Sequence, residues 1–504
     1  MFFARPAAAL AAILAIALSV WHLAGVSAGL SITRTFAGPT PVTIFAPATG
    51  DGGPMIVIAH GFAGSQQLMQ PFAITLARNG YRAVTFDFLG HGRNGAPMRG
   101  DITREDGVTP LLVAELGQVV DFVRANTTSR VAILGHSMAS DIVVRYAMAH
   151  PEVAATIAVS MFAPGITATS PRNLLVITGA LEPQFLKDEA LRATGMQADG
   201  AARPGVTYGD FAAGTARRAS FSDGVEHIGV LYSRASLDEA LAWLNAVFGR
   251  TSTGFADARG GWLGLLFGAL VVLAWPLARL LPRVSVPAMG ASLTWRRFWP
   301  LAVVPAILTP VLLWKLPTDF LPLLLGDYLS VHFAIYGLLT AAGLWHAGAL
   351  RWPELPGRAV AALAAAALLV AGYSIFGLGL AIDSFVTSFM PIPQRLVLIP
   401  VVLLGTCPYF LADEWLTRGH RAPPGAYAFT KLCFLLSLAL AVALNLERLF
   451  FLIIIIPVML IFLTVYGLFS RWATSRTGQP LAAGFGNALA LAWAIAVTFP
   501  LFTH

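Results

Sequence analysis

One serine of this sequence stands where a strand pattern changes directly into a helix pattern. The apolar run VAILGHS (131–137) ends in Gly135-His136-Ser137 and passes at once into ASDIVVRYAMAHP (139–151). A sharp strand-to-helix turn lifts a serine Oγ out of a sheet and points the positive N-terminal end of the helix at it. The pattern therefore predicts a nucleophile elbow, in which Ser137 attacks an electrophilic carbon.

The elbow resembles that of the α/β-hydrolase superfamily, and the resemblance covers residues 40–250. The family pattern is G-x-S-x-G, and in this sequence Ala139 stands at the last glycine. Alanine is still small enough for close packing of the helix against the strand. The resemblance implies a serine hydrolase whose nucleophile, acid and histidine follow in that chain order.

The same resemblance assigns the two partners of Ser137. His227 lies in GVEHIGVLY (224–232), just before a closing helical pattern, and matches the family's general base. The acid is expected a few residues beyond the glycine that ends NLLVITG (173–179). That position favours Glu182 over Asp188 as the group that orients His227.

Two backbone amides complete the site that the resemblance implies. His60 and Gly61 begin the turn HGFAG (60–64) after the strand pattern MIVIAHG, and the N–H of Phe62 would supply one oxyanion-hole donor. The N–H of Met138, after the nucleophile, would supply the other. The resemblance gives DFLGHG (87–92) a structural role at the edge of the sheet, so neither Asp87 nor His91 is predicted to be catalytic.

These residues need a sheet to bring them together. Five apolar runs rich in β-branched residues predict buried parallel strands, and helical patterns alternate with them, so residues 30–255 are expected to form a doubly wound α/β domain. The runs are MIVIAHG (55–61), YRAVTFDFLG (81–90), VAILGHS (131–137), AATIAVSMFA (154–163) and NLLVITG (173–179). The nine residues from Pro164 to Arg172 are too few for a helical cap, and we hypothesise that membrane spans cover the site instead.

The rest of the chain is far too apolar for a soluble protein. Charged residues make up 12% of the 504 residues, against about 25% in soluble domains, and the mean hydropathy is +0.71. We interpret residues 1–29 as a transmembrane anchor or a signal peptide cleaved after Ala28, and residues 256–504 as an all-α, polytopic membrane domain. The expected spans are 7–29, 261–281, 298–316, 328–350, 359–381, 396–414, 428–446, 449–469 and 480–502.

Basic residues occur in alternate connectors between the spans, as the positive-inside rule requires. The first connector of the membrane domain, together with the end of the span before it, carries Arg279, Arg283, Arg296 and Arg297, whereas the next connector carries Asp319 and Asp327. With Arg5 inside, the α/β domain is predicted on the extracytoplasmic side of a bacterial inner membrane. The net charge of +7 is explained by this distribution, and no nucleic-acid partner is expected.

No motif indicates a metal or an organic cofactor. His332 and His346 share one apolar span but are fourteen positions apart without companion ligands, and no phosphate-binding or dinucleotide fingerprint occurs. Cys407 and Cys433 lie in apolar stretches and are expected to be buried thiols.

The sequence predicts a membrane-embedded serine hydrolase that cleaves carboxylic esters, with lipids and thioesters among the candidate substrates. Its expected partners are the lipid bilayer and a lipophilic ester. Two alternatives stay open: an acyltransferase that uses the same triad, and a transporter or receptor whose α/β domain is a binding module. The native substrate, the oligomeric state and the task of the C-terminal spans are not specified by the sequence.

Overall fold

A computed structural model describes residues 4–49, 53–101, 104, 106–198, 200–350 and 354–503. Its strands are β1 Leu30–Ala37, β2 Thr40–Pro47, β3 Met55–Ala59, β4 Arg82–Phe86, β5 Met98–Arg99, β6 Val131–His136, β7 Thr156–Val159, β8 Leu174–Gly179, β9 Thr207–Tyr208, β10 Arg217–Ser222 and β11 Phe502–Thr503. Its helices are α1 Ala4–Gly25, α2 Gln70–Arg78, α3 Thr109–Arg124, α4 Met138–Ala149, α5 Gln184–Gly195, α6 Arg234–Phe248, α7 Gly260–Leu277, α8 Trp295–Leu313, α9 Gly326–His346, α10 Gly357–Gly372, α11 Gly379–Phe385, α12 Pro393–Leu396, α13 Leu398–Thr417, α14 Ala426–Leu444, α15 Leu446–Leu449, α16 Leu452–Thr477 and α17 Pro480–Thr498.

Nine strands form one twisted sheet in the order β1-β2-β4-β3-β6-β7-β8-β10-β9. The strands from β4 to β10 pair in parallel, whereas β1, β2 and β9 join antiparallel at the two edges. The central strands are uninterrupted apolar runs because helices cover both of their faces. The prediction of a mostly parallel α/β-hydrolase sheet is therefore confirmed.

Side chains of β3 show how the two faces are filled. Ile56 and Ile58 point to the layer of α2 and α6, while Val57 and Ala59 point to the layer of α3 and α4. Successive strand residues face opposite sides, so each of these four fully buried residues serves a different layer from its neighbour. The strand that bears Ser137, β6, lies between β3 and β7 in the middle of the sheet.

Two strands at or near the edges of the sheet, β1 and β10, are not predicted by the sequence pattern. β1 has the sequence LSITRTFA and is largely exposed, and β10 has the polar sequence RRASFS, so neither contains the apolar run that identified the central strands. β1 and β2 form a hairpin that extends the sheet beyond β4.

Among the described residues, nine helices are long and apolar enough to cross a membrane, as expected for a membrane protein. These candidate spans are Ala4–Gly25, Gly260–Leu280, Trp295–Leu313, Gly326–His346, Gly357–Phe385, Pro393–Thr417, Ala426–Leu444, Leu452–Thr477 and Pro480–Thr498. The fifth is continuous because the π-helical turn Tyr373–Leu378 joins α10 to α11. α1 packs along α7, with His22 stacked on Trp262 and Arg5 lying over Trp275.

The α/β domain meets the helical part at one end of the bundle. The chain enters the domain from the C-terminal end of α1 and leaves it into the N-terminal end of α7. The strand β11, after α17, pairs in parallel with β5 of the α/β domain. Arg395 is buried at the same end and donates hydrogen bonds to the carbonyls of Phe499 (2.7 Å) and Gly90 (2.7 Å). α12 and the segment after α17 therefore hold the turn after β4 in place.

Candidate active site

Ser137 occupies a strained turn between β6 and α4. Its φ of 55° and ψ of −118° are unfavourable for a residue with a side chain, and such strain is concentrated at functional sites. Gly135 permits the turn, because a Cβ there would clash with the carbonyl oxygen of Ala139. The amide of Ser137 donates to the carbonyl of Val159 on β7 (2.9 Å), which fixes the turn against the neighbouring strand.

A continuous chain of hydrogen bonds runs from Ser137 to Glu182. The Oγ of Ser137 lies 2.8 Å from Nε2 of His227, and Nδ1 of His227 lies 2.7 Å from Oε2 of Glu182. Each residue follows a different strand, since Ser137 follows β6, Glu182 follows β8 and His227 follows β10. The carboxyl ends of these parallel strands share one edge of the sheet, which brings together residues 90 positions apart.

The second oxygen of Glu182 is held by two further donors. Its Oε1 accepts hydrogen bonds from the amide of Gly179 (2.8 Å) and from Oγ of Ser160 (2.7 Å). Burial raises the pKa of Glu182, but the hydrogen bonds from His227, Gly179 and Ser160 together outweigh burial and lower the pKa below its ordinary value. Glu182 is therefore a carboxylate that accepts a hydrogen bond from Nδ1 of His227.

Asp188, the alternative acid, lies elsewhere. It is in α5, where its carboxylate accepts a hydrogen bond from Nε2 of Gln184 at an exposed position (2.8 Å). His227 instead contacts the carboxylate of Glu182.

His136 supports the loop that carries His227. Its Nε2 donates to the backbone carbonyl of His227 (2.9 Å), and the two rings lie 4.9 Å apart. Burial lowers the pKa of His136 to about 3, so its ring is neutral and positions the His227 backbone without adding charge.

The loop after β3 packs directly against the nucleophile. A Cβ at Gly61 would lie 3.0 Å from Cβ of Ser137 and 3.1 Å from the carbonyl oxygen of His136, so a side chain there would require these neighbours to shift. In the part of the chain that the structure describes, neither the N–H of Phe62 nor that of Met138 donates to another group. Met138 follows Ser137 directly, and Phe62 follows Gly61, which lies against Ser137, so both amides belong to residues next to those in contact at the elbow.

His60 ties that loop to the turn after β4. Its Nδ1 donates to the carbonyl of Gly61 (2.8 Å), and its Nε2 accepts from the amide of Phe88 (3.2 Å). Burial is the main reason that the pKa of His60 is lowered, although nearby Asp87 acts in the opposite direction. His60 is thus a neutral bridge between the two loops.

Asp87 and His91 form the structural turn that the resemblance implied. Asp87 accepts hydrogen bonds from the amide of Gln66 (2.8 Å) and the amide of Arg93 (3.0 Å). Nδ1 of His91 donates to the carbonyl of Leu89 (2.9 Å). Neither side chain has a described hydrogen bond to Ser137, His227 or Glu182.

Sequence reasoning missed two contributors to the site. Ser160 follows β7 with a φ of 56° and donates to Glu182. The signal that could have identified Ser160 is its position one residue beyond β7, the strand that lies beside the elbow strand β6. Phe451 immediately precedes α16, and its ring stacks on that of Phe62 at a centroid distance of 4.2 Å. No sequence signal connects these two residues across nearly 400 positions.

Comparisons with known proteins concern the α/β domain. Residues 53–193 match the family model described as serine aminopeptidase, S33. A Bacillus subtilis protein assigned as a 2-succinyl-6-hydroxy-2,4-cyclohexadiene-1-carboxylate synthase is 26% identical over 153 residues, which are 29% of this chain and 52% of that protein. The match thus spans about half the length of the curated relative.

Two solved structures align with a little under half of this chain and with almost the whole of their own chains. A Thermus thermophilus protein is 16% identical over 44% of this chain and 99% of its own, with a TM-score of 0.33. An E-2-(acetamidomethylene)succinate hydrolase is 12% identical over 43% of this chain and 100% of its own, with a TM-score of 0.31.

The sheet order, the elbow and the family match define the class. The chain carries a domain with the α/β-hydrolase fold. This domain is joined to a large helical part whose apolar helices are long enough to span a membrane.

Proposed function

We propose that the protein is a membrane-embedded serine hydrolase that cleaves carboxylic esters at Ser137. The observation that carries the proposal is the chain of hydrogen bonds from Ser137 through His227 to Glu182, at 2.8 Å and 2.7 Å, on a strained elbow. A serine hydroxyl is a weak nucleophile until an adjacent base removes its proton, and a base is effective when a third group orients it. This arrangement meets both requirements.

The proposed reaction has two stages. Ser137 Oγ attacks the carbonyl carbon while Nε2 of His227 takes the serine proton, and the amides of Phe62 and Met138 stabilise the oxyanion. His227 returns the proton to the departing alkoxide as the ester C–O bond breaks, which leaves an acyl-Ser137. A water molecule then attacks the acyl group, His227 accepts its proton, and the acid is released as Ser137 Oγ regains a proton.

Esters are favoured over peptides because apolar side chains border the site. The side chains of Phe162, Leu181 and Ile228, beside the triad residues, are exposed and apolar. The family description nevertheless makes amino-acid p-nitroanilides the second substrate class to test beside p-nitrophenyl esters.

We further propose that the α/β domain lies on the extracytoplasmic side. Arg5, Arg279, Arg471 and Arg476 line one cavity of about 630 Å³ at the end of the bundle away from the α/β domain, as the positive-inside rule favours for the cytoplasmic end. A membrane-impermeant maleimide should label Ser129→Cys in intact spheroplasts and Arg421→Cys only after lysis. The reverse pattern would overturn this orientation.

Fluorophosphonate labelling of the full-length protein in membranes tests the activated serine. Wild type should be labelled, and Ser137→Ala and His227→Ala should not. The exposed Ser129→Ala and the surface variant His150→Ala are matched controls that should label like wild type. Labelling that survives in Ser137→Ala, or a folded wild type without any, would contradict the proposal and favour a binding module.

A further inference from the structure

The active site is built into the end of the helical part. The Phe62 ring, on the loop whose amide faces the proposed oxyanion, stacks on Phe451 with an interplanar angle of 21°. The same loop is held at Ser65, whose Oγ accepts from the amide of Ser388 (2.9 Å) and contacts Oγ1 of Thr387 (3.0 Å). Two separate helix ends, those of α16 and α11, thus support one side of the site.

A salt bridge fixes the next loop to the same helix ends. Nη2 of Arg93 lies 2.9 Å from Oδ2 of Asp383, which belongs to α11. The other oxygen of Asp383 accepts from the amides of Phe389 (2.8 Å) and Met390 (3.1 Å). Asp383 therefore stiffens the helical connector and holds the α/β domain against it.

A layer of exposed apolar side chains on the helical part begins next to the stack of Phe62 on Phe451. α16 starts at Leu452, one residue after Phe451, and its exposed surface is entirely aliphatic from there for several turns. The exposed members include Ile453, Ile454, Val458, Leu460 and Ile461. Exposed aliphatic side chains on a helix of this length belong in the hydrocarbon of a bilayer. Gly61, which lies against Ser137, and the stack of Phe62 on Phe451 connect the site to that layer.

The opposite side of Ser137 is open and apolar. Leu181 is 67% exposed, Phe162 57% and Phe185 55%, and the rings of Phe162 and Phe185 meet edge to face at 6.2 Å. These residues follow β7 and β8, on the other side of β6 from Phe62. Residues 160–173, which join β7 to β8, contain no helix, so no cap from the domain covers this rim. Such an exposed apolar cluster marks a binding surface.

We propose that the substrate is a carboxylic ester of a membrane lipid, drawn from the leaflet next to the α/β domain. The inference rests on the proposed serine-hydrolase function and adds the substrate class. The ester carbonyl reaches Ser137 and the acyl chain lies on the rim of Phe162, Leu181 and Phe185, while the apolar layer that begins at Phe451 lies on the other side of Ser137. A soluble short-chain ester uses the same nucleophile without these contacts.

The test compares two esters with one leaving group. Full-length protein in phosphatidylcholine vesicles is assayed with 4-methylumbelliferyl oleate carried in the vesicles and with 4-methylumbelliferyl butyrate in solution. Wild type should have the higher kcat/KM for oleate. Phe185→Gln should lower the oleate-to-butyrate ratio by about tenfold or more, because it removes apolar contact with the long chain only.

Trp345→Ala is the matched control, since Trp345 is 73% exposed at the opposite end of the bundle and should leave the ratio unchanged. Fluorophosphonate labelling of each variant checks that Ser137 is still activated. A wild type that labels but prefers butyrate, or a ratio unaffected by Phe185→Gln, would overturn the inference while leaving the hydrolase intact. Absence of both labelling and turnover in folded wild type would instead overturn the proposed function, and this inference with it.

Discussion

Glu182 and Asp413 are both buried carboxylates beside a basic side chain, one in the α/β domain and the other in the helical part. The contacts of Glu182 continue through His227 to a serine hydroxyl at the surface of the domain. Asp413 pairs with Lys431, and both side chains are buried in the bundle. Its neighbour Glu414 binds Arg418 and Ser470.

The difference separates a reactive site from a structural one. The charges of this group are matched by one another and by an aromatic ring, with Lys431 over Tyr427 and Arg418 over the same ring. Such a closed group joins α13, α14 and α16 at the end away from the α/β domain. The hydrogen bonds from Glu182 instead lead through His227 to the hydroxyl of Ser137, which is the arrangement that the proposed hydrolysis requires.

The largest expected effect is the loss of the nucleophile. Ser137→Ala should lower kcat for a p-nitrophenyl ester by about a millionfold, because the triad acts as a unit. The nearby Ser140→Ala is not a suitable control because Ser140 Oγ donates to the Ser137 carbonyl (2.6 Å), so Ser129→Ala is used. Ester turnover that persists in the Ser137 variant would place the chemistry elsewhere.

Replacing the acid should give the next largest effect. Glu182→Gln should lower kcat by about ten-thousandfold, because an amide cannot hold the His227 ring in the required tautomer. Asp188→Asn, on exposed α5, should leave kcat unchanged. Steady-state turnover of the two variants decides between the acids, and the opposite ranking would assign the role to Asp188.

In the helical part the same kind of change should affect stability rather than catalysis. Asp413→Asn leaves Lys431 buried without a countercharge, which should reduce the free energy of unfolding by about 3–5 kcal/mol. The double variant Asp413→Asn/Lys431→Met should recover most of that loss. Thermal unfolding of the solubilised chain measures it, and a fall in kcat of the folded Asp413 variant comparable with that of Glu182→Gln would break the distinction.

Glu115 is a buried carboxylate with neither a histidine nor a cation bonded to it in the described part of the chain. It accepts hydrogen bonds from Oγ1 of Thr40 (2.8 Å), the amide of Leu89 (2.7 Å) and Nδ2 of Asn94 (2.9 Å), yet burial dominates and raises its pKa to about 7. The native state therefore binds more protons than the unfolded state between the unfolded pKa and about 7, so stability should fall as pH rises through that window.

Glu115→Gln should remove this fall in stability with rising pH. Of the substitutions Ser137→Ala, Glu182→Gln, Asp413→Asn and Glu115→Gln, it should cause the smallest change in activity. The unfolding midpoint of wild type and variant, measured at about pH 5 and about pH 8, gives the comparison. Equal slopes in the two proteins would show that Glu115 is not the responsible group.

The sequence was most informative where local pattern and chemistry coincide. The elbow at Ser137 lies between an apolar run and a helical pattern, and the runs that predicted β3, β4, β6, β7 and β8 are buried on both faces. β10, which precedes His227, was missed because its residues are polar and it lies next to the edge strand β9. The chain order of the superfamily pointed to His227 without that strand.

The contacts between the two parts could not be read from the sequence. The stack of Phe62 on Phe451 and the hydrogen bond from Arg395 to Gly90 join residues that share no spacing or motif. Arg395 even interrupts an apolar stretch, where a single sequence favours an interfacial side chain, yet it is buried among backbone carbonyls. Such contacts depend on the arrangement of helices, which hydropathy does not encode.

The location of a covalent adduct is the most direct test of whether Ser137 is the activated serine. Full-length protein in its membrane is treated with a fluorophosphonate, digested, and analysed by peptide mass spectrometry. We expect one modified residue, Ser137, and loss of the adduct in His227→Ala and Glu182→Gln but not in Asp188→Asn. An adduct on another serine, or one on Ser137 that forms equally fast without His227, would contradict this expectation.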